Sequence, residues 1–318
     1  MAYNFIKMSK KSEYKNDFEK YIEKEKSVIE LINYAGKLLY EKGVELVFFR
    51  RHLIDVNITE ILRLHHYAKS FVKKPISVFE TSKMTEELYK LNLCPSKIDV
   101  GKLTHEWIDQ KNNFNNHSEF LTNKLDFLIK NPDLKPNPKD VVLFGFGRIG
   151  RLCARELIKQ AGKGQQLRLK GVVLRKIDAV SLKKRCALLR QDSVHGSFSS
   201  SIEINEDELY IVINGQKIQF FDEKTKYQLN KYGINNALLI DNTGVYKDYE
   251  SLKHHLKLDG VNKVLLTAPG TGIPNIVYGV NQSAIDIEND IIISAASCTT
   301  NAIAPILKVI SDNHTINK

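Results

Sequence analysis

Long hydrophobic runs are absent from this sequence. A membrane-spanning helix needs about 20 consecutive apolar residues, and no stretch of the chain approaches that length. Residues 1–15 are mostly polar and lack the apolar centre of a secretory signal. These absences argue against a membrane partner and predict a cytoplasmic location.

Cysteine is sparse and contains no paired motif. The four cysteines are Cys94, Cys153, Cys186 and Cys298. Without a C-x-x-C pair, neither a structural zinc site nor a disulfide framework is expected. His65 and His66 are adjacent, so on a helix their side chains point in different directions and make a poor metal pair. We predict no metal site.

Neither sign of charge is concentrated in one part of the sequence. The net charge is +10, but residues 1–139 contain 24 basic and 19 acidic side chains, and the remainder contains 23 and 18. Interspersed charge of this kind forms a solvated surface that attracts phosphorylated small molecules, whereas a nucleic-acid-binding face needs a basic cluster. We therefore expect no nucleic-acid partner.

Apolar residues recur at helical spacing in the first part of the chain, and alternating strand patterns are nearly absent there. The periodicity predicts helices over residues 13–42, 53–72, 85–93, 100–110 and 118–129. Residues 131–138 then contain three prolines, which exclude helix and sheet alike. We predict an all-α N-terminal extension over residues 1–135, with a domain boundary at the prolines.

A glycine-rich turn follows the prolines. Residues 141–144 read as a buried strand, residues 151–161 read as a helix, and a G-x-G-x-x-G run lies between them. In this setting Gly145 permits the tight turn, Gly147 lets a pyrophosphate approach the backbone, and Gly150 allows close helix–strand packing. The pattern predicts an α/β fold, a Rossmann-type doubly wound sheet over residues 140–297.

Later segments supply the remaining strands of this sheet. The predicted strands are residues 169–174, 201–204, 210–213, 217–221, 237–241 and 263–267. Asn214-Gly215 is typical of a type I′ hairpin turn. The strands ending near residues 241 and 267 each lead into a small polar turn, and such turns lie at the carboxyl edge where a cofactor binds.

The second predicted strand ends in an unusual way for an NAD site. An acidic residue is expected there to bind the adenosine ribose, but the strand is followed by Arg175 and Lys176. Two cations could pair with a ribose 2′-phosphate, which favours NADP, or use of both cofactors. The alternative is that Asp178 takes the usual acidic role.

Cys298 stands out among the cysteines. It follows the apolar run 291–293 and opens a helix-like segment over residues 299–310. The unpaired amides and positive dipole of a helix N-terminus favour a thiolate, and Ser297 and Thr299 flank it with hydroxyls. The pattern predicts a nucleophile; the alternative is a small buried residue at a strand end.

From residue 141 onward the chain resembles phosphorylating glyceraldehyde-3-phosphate dehydrogenase. Five motifs carry the resemblance: Gly145-Phe146-Gly147-Arg148-Ile149-Gly150-Arg151, Arg190-Gln191-Asp192-Ser193-Val194-His195-Gly196, Asn242-Thr243-Gly244-Val245-Tyr246, Tyr278-Gly279-Val280-Asn281 and Ser297-Cys298-Thr299-Thr300-Asn301. The helical preface resembles the extension of the long-chain bacterial branch of that family.

The resemblance implies a role for each matching residue. Cys298 would attack glyceraldehyde 3-phosphate and, after hydride transfer to NAD(P), hold a thioester that inorganic phosphate releases as 1,3-bisphosphoglycerate. Ser297 and Thr299 would contact phosphate. The cofactor would lie along Gly145, Phe146, Gly147, Arg148, Ile149, Thr243, Gly244, Thr267 and Ala268. A homo-oligomer is implied for the complete enzyme.

One departure from the family concerns the end of the sequence. The family's catalytic histidine follows the cysteine helix, and His314 lies too early to take that role. Residues 298–318 would then be only the first helix of the catalytic domain. The resemblance therefore implies an incomplete chain. Two alternatives stay open: a nucleotide-binding module without turnover, and a relative acting on another sugar phosphate such as erythrose 4-phosphate.

Overall fold

The computed structural model describes residues 2–134, 137–162, 164–224 and 228–315, with side chains from residue 14 onward except that of residue 71. Two compact units make up the chain. The first comprises Met1–Pro136 with Gly162–Gln165, and the second comprises Asn137–Ala161 with Gln166–Lys318. Each unit has its own hydrophobic core.

The first unit is mainly helical, as the periodicity predicts. Its α-helices are α1 (Ala2–Lys37), α2 (Ile58–Val72), α3 (Val78–Lys90), α4 (Val100–Gln110), α5 (His117–Lys124) and α6 (Asp126–Lys130). A π-helical turn over Leu38–Lys42 extends α1 and ends at Gly43, whose φ is +73°. Side chains of Asn57, Ser77, Asp99 and Asn116 cap the starts of α2 to α5, so the helix ends are satisfied locally.

The expectation that the extension is all-α is wrong in one respect. A three-stranded sheet, in the order β2-β1-β3, is formed by β1 (Val44–Phe48), β2 (Arg51–His52) and β3 (Ser96–Asp99). β1 is a nearly continuous buried run, and a short apolar run cannot be told from part of a helix by its periodicity. β3 buries only Ile98, which leaves almost no pattern to detect.

His65 is buried in the first unit. Its ring packs 4.3 Å from that of Phe48, its Nδ1 lies 2.9 Å from the Ile61 carbonyl oxygen, and its Nε2 lies 3.1 Å from Thr81 Oγ1. These contacts suit a neutral imidazole that donates from Nδ1. Burial lowers the pKa of His65, since the charged form would lose its hydration. The residue is therefore structural.

The second unit contains the predicted Rossmann-type sheet. Its strands are β4 (Lys139–Phe144), β5 (Leu167–Leu174), β8 (Ile202–Asn205), β9 (Tyr210–Ile213), β10 (Gln216–Asp222), β11 (Ala237–Asp241), β12 (Val261–Leu266) and β13 (Ile292–Ser294). They follow the order β13-β12-β11-β4-β5-β10-β9-β8. The first six in this order are parallel to one another, and β9 pairs antiparallel with both β10 and β8. A small antiparallel pair is formed by β6 (Gln191–Asp192) and β7 (Gly196–Ser197).

Both faces of this sheet are buried. Val141 and Leu143 of β4 pack in a cluster with α7 (Arg148–Lys159) and α8 (Ala179–Arg190). Val142 and Phe144 point into a second cluster, as the alternation of a strand requires. That cluster includes a residue of α9 (Tyr249–Leu252). Buried on both sides, the strands read as continuous apolar runs.

The structure confirms two local predictions. Asn214 and Gly215 both have positive φ, +47° and +79°, which confirms the type I′ turn between β9 and β10. The last helix, α10 (Cys298–Asn313), begins at the predicted position. Within the described ranges, no helix is both long and apolar enough to cross a bilayer.

The buried position of His65 makes a prediction about pH. With its pKa lowered in the folded state, the unfolded chain binds a proton first, so this contribution to stability is complete above the ordinary histidine pKa and is lost as the pH falls. We expect the wild type to lose more unfolding free energy than His65→Gln on going to about pH 5, by at most about 1.4 kcal/mol per pH unit.

The measurement is urea unfolding at several pH values followed by tryptophan fluorescence. The chain has one tryptophan, Trp107, which is buried in the first unit, so the signal reports on that unit alone. Identical pH dependence in both proteins would contradict the prediction.

Candidate functional site

The order of the strands places a crevice beside β4. β4 lies between β5, which follows it in sequence, and β11, to which the chain returns later. In an open parallel sheet, ligands bind at the carboxyl ends of the strands where the order reverses. The loops after β4 and β11 therefore define the candidate site.

The glycine loop after β4 has the geometry that its sequence predicts. Gly145 has φ +91°, and a Cβ there would lie 2.9 Å from Thr243 Cγ2. A Cβ at Gly150 would lie 2.4 Å from the Gly145 carbonyl oxygen, so this glycine is required by packing. Around Gly147 no heavy atom lies within 4 Å of a built Cβ. The open side of the loop is thus at the second glycine.

The start of α7 faces that open space with unpaired amides. Gly147 is the N-cap residue, and no side chain caps the helix. The first amides of a helix have no partner within it and attract anions. Phe146 is buried and Ile149 is half exposed. The loop can therefore hold a pyrophosphate by its main chain.

The turn after β11 lies against the glycine loop. Buried Asp241 accepts hydrogen bonds from the Thr243 amide at 2.8 Å and from Thr243 Oγ1 at 2.7 Å. Gly244 follows with φ +67° and is exposed. Thr267, after β12, donates its hydroxyl to the Asp241 carbonyl oxygen at 3.0 Å. The structure thus brings Thr243, Gly244 and Thr267 to one edge of the sheet.

Arg175 and Lys176 are both exposed directly after β5. Neither forms an ion pair with another described residue. Asp178 is the N-cap of α8 and accepts from the Ser181 amide at 2.8 Å, so its carboxylate already has a structural role. A different acid lies close to the loop, since Asp222 at the end of β10 accepts from the Ile177 amide at 3.3 Å.

Cys298 occupies the first position of α10 and is exposed. Ser297 caps this helix, accepting from the Thr300 amide at 2.9 Å. Asn301 holds the preceding turn by donating to the carbonyl oxygens of Ala295 and Ser297, at 2.7 and 2.9 Å. The thiol is therefore displayed on a rigid turn.

Two hydrogen bonds connect the cysteine turn to the same edge of the sheet. The Ala295 amide donates to the Leu266 carbonyl oxygen at 2.9 Å, and Ser294 Oγ donates to the Ala268 carbonyl oxygen at 2.7 Å. Leu266 and Ala268 flank Thr267 at the end of β12. The candidate nucleophile and the candidate cofactor turns therefore share one side of the second unit.

Comparison with known proteins finds similarity to one family. Residues 139–249 match the family model described as glyceraldehyde 3-phosphate dehydrogenase, NAD binding domain. A glyceraldehyde-3-phosphate dehydrogenase-like protein of Pseudomonas aeruginosa (strain UCBPP-PA14) is 40% identical over 293 residues, covering 90% of this chain and 63% of that protein. The second unit is thus similar to the NAD-binding domain of glyceraldehyde-3-phosphate dehydrogenases.

Two further relatives match a shorter part of the chain. The glyceraldehyde-3-phosphate dehydrogenase of Chlamydia pneumoniae is 37% identical over 179 residues, or 56% of this chain and 50% of that protein. Glyceraldehyde-3-phosphate dehydrogenase 1 of Agaricus bisporus is 36% identical over 173 residues, or 54% and 48%. The chain thus spans about half to two thirds of the length of these relatives. Of these three matches, the Pseudomonas one is long enough to include much of the first unit.

The side chain of Arg148 has a role that sequence reasoning missed. Its guanidinium lies 3.4 Å from Asp192 Oδ2 and donates to Ser193 Oγ at 3.2 Å. Amides of Val194 and His195 donate to the same carboxylate, and they and the nearby Arg148 hold the pKa of Asp192 well below its usual range. Arg148 therefore ties the glycine loop to the segment that contains Asp192 and Ser193. The sequence feature that could have indicated this contact is the motif of residues 190–196, which contains Asp192 and Ser193.

Groups that could bind a metal ion are not assembled in the part of the chain that the structure describes, where no three His, Cys, Asp or Glu side chains cluster suitably. The groups that the site does present are the thiol, the hydroxyls and the main-chain amides. These are the donors that a dinucleotide and an aldehyde substrate require.

The glycine loop leads to a paired prediction. Gly150→Ala should lower the unfolding free energy by about 1–3 kcal/mol, because its methyl group must displace backbone. Gly147→Ala should leave stability nearly unchanged, yet it should weaken NAD binding, because the methyl group fills the space that a pyrophosphate would enter. Thermal unfolding and calorimetric titration with NAD measure the two effects. Wild-type NAD affinity in Gly147→Ala would contradict this assignment of the loop.

Proposed function

We propose that this chain carries the cofactor-binding and thiol-bearing part of a phosphorylating glyceraldehyde-3-phosphate dehydrogenase. The observation that carries the proposal is the position of Cys298, exposed at the start of α10 on the same side of the unit as the glycine loop. The similarity to glyceraldehyde-3-phosphate dehydrogenases supports the reaction type. Cytoplasmic location and assembly into a homo-oligomer belong to the same proposal.

The residues of the site can hold a dinucleotide. The open space at Gly147 and the uncapped start of α7 suit a pyrophosphate, and the turns at Thr243, Gly244, Thr267 and Ala268 suit the attached riboses. When bound, an oxidised nicotinamide accepts a hydride from the substrate carbon. The protein's own contribution is to orient the cofactor and to present the thiol beside it.

Cys298 would carry the covalent steps. Its thiolate forms a C–S bond with the aldehyde carbon, and the former carbonyl oxygen takes a proton, giving a thiohemiacetal. Loss of hydride from that carbon and of the hydroxyl proton leaves a thioester. Inorganic phosphate then attacks the thioester, the C–S bond breaks, the acyl phosphate leaves and the thiolate is restored. Thr299 and Ser297 present hydroxyls beside these steps.

Cofactor choice is the finer part of the proposal. We propose that Arg175 and Lys176 favour NADP, or allow both cofactors, since two exposed cations follow β5 where a ribose 2′-phosphate would bind. Their charges are not engaged in ion pairs with other described residues. The carboxylate of Asp222 near Ile177 works in the opposite direction, because it would repel a phosphate.

The activity has a direct test. Protein supplied with glyceraldehyde 3-phosphate, inorganic phosphate and NAD or NADP should reduce the cofactor only when phosphate is present. Cys298→Ser should lower this rate by about a thousandfold or more, because the nucleophile is lost. Cys153→Ser is the matched control, since Cys153 is partly buried and its pKa is raised by burial.

Three outcomes of this assay decide between the functions. Turnover that survives in Cys298→Ser would contradict the mechanism. Faster turnover of erythrose 4-phosphate would move the substrate assignment within the family. Cofactor binding with alkylation of Cys298 by iodoacetamide, but without turnover, would identify a nucleotide-binding module.

Cofactor preference is tested by the Arg175→Asp and Lys176→Gly double variant. We expect NADP affinity to fall by about tenfold or more relative to NAD, because each charge-assisted contact contributes roughly 1.5–3 kcal/mol. Calorimetric titration with both cofactors gives the ratio. Lys184→Ser on α8, also exposed, controls for net charge. An unchanged ratio would show that these side chains do not contact the 2′-phosphate.

A further inference from the structure

A buried, hydrogen-bonded histidine–aspartate pair lies beneath the turn that follows β11. His255 belongs to the short helical turn Lys253–Lys257, and Asp241 is the last residue of β11. Both side chains are fully buried, and His255 Nε2 lies 2.9 Å from Asp241 Oδ2. Neither residue can reach a substrate, so any role they have in function is indirect.

The carboxylate of Asp241 connects the histidine to the cofactor turn. While Oδ2 pairs with His255, Oδ1 accepts from both the amide and the hydroxyl of Thr243. Thr243 Oγ1 in turn accepts from the Val245 amide at 3.2 Å. The orientation of one carboxylate therefore decides the position of three consecutive residues of the turn, including Gly244.

Thr243 also contacts the glycine loop, at Gly145. Its Cγ2 lies 2.9 Å from the place of a Cβ at Gly145, so the two loops of the crevice are in close contact. A rotation of the Asp241 carboxylate would shift Thr243 and change the gap in which the cofactor binds. The pair is thus connected to the glycine loop through Thr243, which contacts Asp241 on one side and Gly145 on the other.

His255 holds the carboxylate in one orientation. Its ring lies 4.5 Å from that of Phe144, 5.5 Å from that of Tyr246 and 3.9 Å from that of His254, and these rings restrict the imidazole plane. Its Nδ1 is buried without a hydrogen-bond partner among the described residues. A protonated Nδ1 would be a buried donor without an acceptor, so the neutral ring with hydrogen on Nε2 suits the site.

This arrangement is better suited to orientation than to stability. A buried polar pair of this kind is often no more stabilising than a well-packed apolar pair, and one nitrogen of this pair has no partner. What the pair supplies is a single direction for the carboxylate, since Asp241 has one hydrogen-bonded neighbour on each oxygen. Removal of the histidine would free Oδ2 and let the carboxylate turn.

We propose that His255 is a positioning residue of the dinucleotide site: through Asp241 it fixes Thr243 and Gly244 against the glycine loop. The proposal rests on the nucleotide-binding function proposed above. It adds that affinity for the cofactor depends on a side chain that never touches it.

Two variants of similar chemistry test the proposal. In His255→Gln the side-chain amide can occupy the position of Nε2 and donate to Asp241, whereas in His255→Asn the amide is too short to reach it. We expect His255→Asn to raise the dissociation constant for NAD by about tenfold, the effect of one lost hydrogen bond to a charged group. His255→Gln should stay within about twofold of the wild type. His66→Asn makes the same replacement at an exposed histidine of α2 in the first unit and serves as the control.

Hydrogen–deuterium exchange gives a second readout that needs no ligand. In His255→Asn the peptide containing the Thr243 amide should exchange faster well below the melting temperature, and in His255→Gln it should be protected as in the wild type. If His255 were merely structural, the Asn variant would melt at a lower temperature with unchanged NAD affinity and unchanged exchange at Thr243. That result would overturn the proposal.

The two proposals fail in different ways. If the wild type does not bind NAD or NADP, the proposed function fails, and the exchange at Thr243 still decides whether His255 holds the turn. If the wild type binds and both His255 variants bind equally well, the positioning role fails alone. Should His255→Asn not fold, His255→Leu gives the same test. Its apolar side chain fills the buried space of the imidazole but cannot donate to Asp241, so NAD affinity and the protection of the Thr243 amide should fall as expected for the Asn variant.

Discussion

The parallel pairing of β4 with β11 is the constraint on which the site depends. These strands pair from Leu238 with Val141 to Asp241 with Phe144, so their carboxyl ends finish at the same level. The glycine loop and the Asn242-Thr243-Gly244 turn then emerge side by side. The Asn242 amide donates to the Phe144 carbonyl oxygen at 2.8 Å, which extends the pairing by one more residue into the loops. Without this register the crevice would not form.

The next strands outward extend the same edge. β12 pairs with β11 and β13 pairs with β12, both in parallel, and this brings the turns after Leu266 and Ser294 into line. Cys298 follows β13 directly and opens α10. A thiol at that place is close to the main chain that can hold a cofactor, because a parallel sheet collects all its strand-end loops on one edge.

Polar groups buried beneath this edge form a supporting layer. Asp192, which lies outside the glycine loop, pairs with Arg148 and accepts hydrogen bonds from two amides. Asp241, beneath the second turn, pairs with Thr243 and His255. Buried carboxylates need several donors to offset the loss of hydration, so each one organises the loop that supplies those donors. The loops can therefore be polar and exposed while remaining well defined.

The sequence by itself determined the main elements and the local chemistry of the chain. The glycine spacing, the Asn214-Gly215 turn and the start of α10 at Cys298 all depend on near neighbours, so local patterns predict them. The helices of the first unit follow from their periodicity. The short strands β1 and β3 do not, because their pairing is a long-range contact with little local signal.

Tertiary structure alone decided which polar residues support the site. No local pattern links His255 to Asp241, which are fourteen residues apart, or Asp222 to the loop after β5. Their contacts arise because the sheet brings strand ends together from distant parts of the chain, and burial then requires each polar group to find a partner. Asp178 differs from these residues, because it caps α8 through the amide of Ser181, three residues further along the chain.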